Sequence, residues 1–128
     1  MSWLIDTNVA IHFRDGDPET LERFAALDRP VVLSIVSRVE LEGGVYQSSA
    51  DSDLRRQRLD RMLATLLVLD FDDGAANAYR RIIEAVGFSR RKLLDRMIAA
   101  QALAKDIPLI TCNGDDFRDI PGLTLIEW

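Results

Sequence analysis

Trp3-Leu4-Ile5-Asp6-Thr7-Asn8 is the stretch that decides the fold. Three apolar residues stop at an acid followed by two small polar ones. The run is too short for a membrane span or a signal-peptide core. It reads as a buried strand that delivers a carboxylate to its carboxyl end. Ligands of open α/β sheets collect outside the carboxyl ends of the strands, so Asp6 marks a candidate functional edge.

Outward from that strand, apolar and helical segments alternate. Asn8 to Arg14 is predicted as a short helix closed by Asp15-Gly16, and Pro18 opens a second helix through Ala26. Val31-Val32-Leu33-Ser34 is a β-branched strand bounded by Pro30. A helix is expected from about Ser37, with Glu40 in its first turn. Asp51 to Leu66 is a charged helix with Leu59, Met62, Leu63 and Leu66 on its buried side. Leu67-Val68-Leu69 is a third strand. Ala75, Tyr79, Ile82, Ile83 and Val86 recur at helical spacing up to Gly87. Leu94, Ile98, Gln101 and Ala102 mark the next helix. Strands are expected at Ile107–Thr111 and Leu123–Ile126, with a helical turn at Asp115–Asp119 between them. Strands alternating with helices predict a parallel sheet covered on both faces. The near-continuous apolar strands support the same arrangement.

The chain has 128 residues, 48% hydrophobic and 29% charged, and reads as one domain over residues 1–128. No secretory signal and no membrane span are expected, and a reducing, cytosolic setting fits the single cysteine. Cys112 excludes an intrachain disulfide and a cysteine zinc site. It lies in an apolar run and is expected to be a buried, inert thiol. His12, the only histidine, is expected to pack or to face solvent. The net charge of −5 argues against a nucleic-acid partner unless clustered acids hold cations. Basic residues are clumped in two runs. Arg55, Arg56, Arg58 and Arg61 are expected on a solvated helix face; Arg90, Arg91 and Lys92 form a basic loop.

Four acids can share the edge that Asp6 marks. Glu40 lies in the helix after the second strand, and Asp116 lies just beyond the fourth. Asp95 requires the chain to return after the helix at residues 73–86. Residues 87–93 extend over about 20 Å, the length of a helix of about 14 residues at ~1.5 Å each, so the return is feasible. Each acid also has an ordinary structural role: Asp6 as an N-cap, the others as favourable charges at helix N-termini. Those roles do not require all four on one edge. Carboxylates packed there repel unless cations neutralise them, and hard oxygen donors suit Mg²⁺ or Mn²⁺ better than zinc. Such a site suits metal-assisted phosphodiester hydrolysis. No Ser-His pair or phosphate-binding glycine loop is present. Thr7, Asn8, Ser34, Thr111 and Asn113 accompany the acids as candidates to orient them.

Leu4-Ile5-Asp6-Thr7-Asn8, Ser34 with Glu40-Leu41, Asp95-Arg96-Met97-Ile98-Ala99-Ala100 and Thr111-Cys112-Asn113-Gly114-Asp115-Asp116-Phe117 resemble the motifs of the PIN-domain ribonucleases. The likeness is greatest to the VapC toxins of type II toxin–antitoxin pairs and covers nearly the whole chain. It implies a three-layer α/β/α fold with a central, mainly parallel five-stranded sheet. It implies a Mg²⁺- or Mn²⁺-dependent endoribonuclease in which Asp6, Glu40, Asp95 and Asp116 bind metal, supported by Thr7, Asn8, Thr111 and Asn113. It further implies an RNA substrate, a homodimer and a VapB-type antitoxin, assembled into a toxin–antitoxin hetero-oligomer. Asp115 is an alternative to Asp116, and the basic loop Arg90-Arg91-Lys92 is a candidate RNA contact. A non-toxin PIN nuclease, a catalytically silent PIN-like binding module and a phosphoacceptor receiver domain are the competing readings. The receiver is disfavoured because Thr7-Asn8 stands where a second acid would be.

Overall fold

The computed structural model describes residues 1–128. Five strands, β1 (Trp3–Ile5), β2 (Val31–Ser34), β3 (Leu67–Leu69), β4 (Leu109–Thr111) and β5 (Leu125–Glu127), form one sheet in the order β3-β2-β1-β4-β5. Every adjacent pair is parallel. β1 is therefore the central strand, and the order reverses beside it, where such sheets open a crevice at their carboxyl ends. Asp6 is the first residue beyond β1.

Successive side chains of a strand point to opposite faces, and the core divides accordingly. Leu4, Val32 and Leu109 enter one apolar cluster, with Ile98, Ile82 and Phe117. Their neighbours Ile5, Leu33 and Ile110 enter the other, with Val9, Leu41 and Leu59. Helices α5 (Asp73–Val86) and α6 (Leu93–Lys105) contribute to the first layer. Helices α1 (Thr7–Arg14), α3 (Ile35–Val45) and α4 (Ser52–Thr65) contribute to the second. Helix α2 (Pro18–Ala25) adds Phe24 to that layer, which stacks on Phe13 and meets the edge of Trp128. This is the three-layer α/β/α fold expected from the sequence. No helix is long and apolar enough to cross a membrane.

Several boundaries differ from the sequence reading. Helix α3 starts at Ile35, two residues early, because Ser34 caps it by accepting from the Val36 N–H. Glu40 thus sits in the second turn of α3. Its Gly43-Gly44 pair stays helical. The expected strands at 107–111 and 123–126 shorten to Leu109–Thr111 and shift to Leu125–Glu127. The expected turn at 115–119 is a single 3₁₀ turn, Gly114–Asp116. Cys112 is exposed, not buried, because β4 ends one residue before it. His12 is exposed on α1.

One buried polar residue fastens α6 to the sheet. Gln101 is 1% exposed and donates its amide N–H groups to the carbonyls of Leu69 (2.9 Å) and Asp70 (3.1 Å), while its oxygen accepts from the Ser34 hydroxyl. Gln101→Ala would leave these groups unpaired and open a void. It is expected to cost about 2–4 kcal/mol, read as the shift of a denaturant midpoint. A cost near zero would remove Gln101 from the structural framework.

Candidate active site

Asp6 is both a cap and an edge carboxylate. Its Oδ1 accepts from the Val9 N–H at 2.9 Å, and its Oδ2 accepts from the Thr111 hydroxyl at 2.5 Å. It is 3% exposed, and burial pushes its carboxyl above the ordinary range against the lowering pull of those two bonds. Thr111 is the last residue of β4, so this contact joins the ends of two adjacent parallel strands. The Thr111 oxygen also accepts from the Asn113 N–H at 2.9 Å, and the Asn113 amide donates to Asp116 at 2.7 Å. A continuous chain of hydrogen bonds thus runs from Asp6 through Thr111 and Asn113 to Asp116.

Asp115 lies outside that chain, paired with Arg118. Of the two adjacent acids, Asp116 is the one joined to Asp6 by that chain. The turn is tight: a Cβ on Gly114 would run into the Glu127 carboxylate, which itself pairs with Arg118.

Glu40 reaches the edge from α3. The Thr7 hydroxyl donates to it at 2.7 Å and shares a 2.9 Å hydrogen bond with the buried Ser37. Ser37 is a supporting residue that sequence reasoning missed. Its signal was a small polar residue one helical turn before Glu40, on a helix otherwise apolar near its start. Asn8, by contrast, lies exposed at the start of α1.

Asp95 stands in the first turn of α6. The return it requires is made at Gly87, whose φ of +84° turns the chain out of α5. Arg96, 3% exposed, then fixes the loop by donating to the Gly87 carbonyl at 2.6 Å and to Asp119 at 3.4 Å. The Asp95 carboxyl is raised to about 6 by burial, then by the negative charges of Asp116, Asp6 and Glu40, with Lys92 pulling the other way. Asp95 therefore feels the other three predicted acids across one edge of the sheet.

No three His, Cys, Asp or Glu side chains close into a metal-ligating group in this arrangement. The donor set is nonetheless all carboxylate, and its charge is only partly compensated by Lys92. Such a set fits a hard divalent cation, which would relieve the repulsion that raises Asp95. Arg90 and Arg91 lie exposed in the loop before α6, and Lys92 sits 3.9 Å from Asp119.

The PIN domain family model matches residues 3–123. Ribonuclease VapC5 of Mycobacterium tuberculosis is 34% identical over 128 residues, covering 97% of this chain and 91% of that protein. The tRNA(fMet)-specific endonuclease VapC of Salmonella typhimurium is 27% identical over 131 residues, covering 100% of this chain and 98% of that one. The crystal structure of DNA-bound VapBC from Salmonella typhimurium superposes with a TM-score of 0.85 at 27% identity, over 100% of this chain and 98% of that chain.

Proposed function

The chain belongs to the PIN domain family, among the VapC ribonucleases, and from that premise we propose that Asp6, Glu40, Asp95 and Asp116 form its catalytic, cation-binding site. It is a ribonuclease, the toxin of a VapBC-type toxin–antitoxin pair. The observation that carries the residue assignment is the convergence of four carboxylates from four separate segments on the edge beside β1. Helix capping accounts for Asp6 alone; it does not account for the charges of Asp116, Asp6 and Glu40 that add to burial in raising Asp95 to about 6.

The side chains divide the work. Asp6 and Asp116, joined through Thr111 and Asn113, hold two carboxylates in a fixed relation. Thr7 holds Glu40 in line with them, and Asp95 completes the set from α6. These acids would hold Mg²⁺ or Mn²⁺. When bound, the cation supplies charge neutralisation at the scissile phosphate and lowers the pKa of water. Arg90, Arg91 and Lys92 flank Asp95 and would hold backbone phosphates of RNA. Asn8 has only its position beside Asp6 and Thr7 to support a role.

The partners follow from the same reading. The VapBC structures hold a toxin with its antitoxin, and a VapB-type antitoxin is the cognate inhibitor expected here. A second copy of this chain is the other partner. An apolar patch of Ile35, Val39, Phe71, Leu94 and Met97 lies beside Glu40, with Val39 66% exposed. Light scattering of the purified protein is expected to give a dimer; a monomer would remove this part.

Purified chain is expected to cleave RNA internally with Mg²⁺ or Mn²⁺ and to stop on addition of EDTA. Its expression is expected to arrest a bacterial host unless the antitoxin is co-expressed. Cleavage that persists in EDTA would overturn the cation assignment. Absence of cleavage with either metal would favour a silent binding module.

A further inference from the structure

The arginine run of α4 has two sides. Arg56 is structural: it donates to Glu42 at 3.0 and 2.8 Å and to Asp60, tying α4 to α3. Arg55, Arg58 and Arg61 follow at steps of three residues, which places them along one helical stripe. Arg58 comes only within 4.0 Å of Asp15, and Arg55 and Arg61 have no carboxylate partner.

That stripe lines two adjoining depressions, the first of which reaches Glu40. A depression of about 370 Å³ is walled by Thr7 and Glu40 at one end and by Gln47, Ser48, Arg14 and Arg55 at the other. Arg14 also lines the next depression, of about 280 Å³, together with Arg58 and Arg61. The two depressions adjoin at Arg14, the side chain that a continuous groove from Glu40 to Arg61 has to pass. Four arginines face it against two acids, Glu40 and Asp15, in a chain of net charge −5. The depression beside Glu40 is mainly polar, whereas the one at Arg58 and Arg61 also holds Phe13, Leu21 and Met62. An amphipathic peptide helix needs an apolar stripe and finds one only in the second; a phosphate backbone needs spaced cations, which line both. From Arg55 to Arg61 α4 rises about 9 Å, so the three cations are spread along the helix rather than gathered at one point.

We propose that this groove is the track for single-stranded RNA on one side of the cut, with Arg55, Arg58 and Arg61 holding successive phosphates. It deepens the ribonuclease reading and rests on it. Arg14, only 9% exposed in its side chain and paired with Asp15 at 3.0 Å, lies fixed where the two depressions meet. The strand would pass Ser48 and Gln47 and reach the acids at Thr7 and Glu40.

The test compares wild type, Arg55→Gln/Arg58→Gln, Arg55→Lys/Arg58→Lys and a control, Arg80→Gln/Arg81→Gln, on α5. A labelled mixed-sequence single-stranded RNA serves as substrate. The same RNA serves for binding, with all proteins carrying Asp6→Asn to prevent turnover. The glutamine pair is expected to raise KM roughly tenfold with kcat nearly unchanged. It should lower the slope of log K against log salt by about 1.4, at ~0.7 per single-strand phosphate contact. The lysine pair should keep the slope, and the control should behave as wild type. Unchanged KM and slope, with wild type still cleaving, would overturn the groove and leave the nuclease reading standing. Unchanged RNA kinetics combined with lost inhibition by the antitoxin would give the groove to a protein segment instead. If wild type neither binds nor cuts RNA, the nuclease reading falls and the groove falls with it.

Discussion

Asp6→Asn is expected to lower RNA cleavage by roughly 10²–10³-fold while the protein stays folded, the loss typical when one preorganised charge-stabilising group is removed. The substitution separates two duties. As a cap, Asp6 accepts from the Val9 N–H, and asparagine caps a helix about as well as aspartate. As a buried carboxylate, Asp6 is disfavoured by desolvation, so neutralising it removes a cost and leaves stability equal or higher. The amide also keeps a hydrogen-bonding partner for Thr111. What disappears is the negative charge at the end of the central strand. Asp6→Ala is a poorer test, since it also loses the cap, at about 1 kcal/mol, and empties a buried site. Single-turnover cleavage alongside thermal melts distinguishes the two variants. Cleavage within about threefold of wild type by Asp6→Asn would show that the charge is not used.

That double duty explains what was legible in the sequence. The strand-and-acid pattern of Leu4-Ile5-Asp6 placed both the sheet and its edge, because strand burial and parallel crossover leave few alternatives. Asp95 was placed by length alone, and the structure adds what length does not contain: the positive φ at Gly87 and the Arg96 bond to its carbonyl. The starts of α3 and β4 and both ends of β5 were misjudged by one or two residues. Their limits are set by the Ser34 cap and by short pairing registers, which are tertiary events. Cys112 was misjudged differently: it was counted with the apolar run Leu109-Ile110-Thr111, although the strand ends at Thr111 as expected and leaves the next side chain exposed.

The supporting contacts were the least legible. Ser37 under Thr7, and Gln101 across to Leu69 and Asp70, join residues 30 or more positions apart. No local pattern encodes such pairings. The α4 arginines show the same limit. Composition reads them as one solvated run, whereas Arg56 turns to Glu42 and its neighbours line two adjoining depressions, one of which reaches Glu40.

Asp95→Asn is expected to melt higher than wild type in EDTA at neutral pH while losing nearly all cleavage. In the fold the Asp95 carboxyl is raised to about 6, against 3.8 as an ordinary group. A carboxyl raised in the fold binds its proton more tightly there than in the unfolded chain. Its stabilising influence is present at acidic pH and is lost as pH rises from about 4 through about 6. At neutral pH the ionised group is therefore a strain on the metal-free fold, and asparagine relieves it. A divalent cation relieves it differently, by pairing with the charge. At a cation concentration of about 100 times Kd, stabilisation is about 2.7 kcal/mol, or roughly 10 °C for a chain of this size. That shift is expected for wild type near pH 7.5, to shrink below about pH 6 as protons compete, and to be largely absent in Asp95→Asn. Melts with and without Mn²⁺ across this range decide the matter. An equal Mn²⁺ shift in both proteins, or one that grows as pH falls, would remove Asp95 from the cation site.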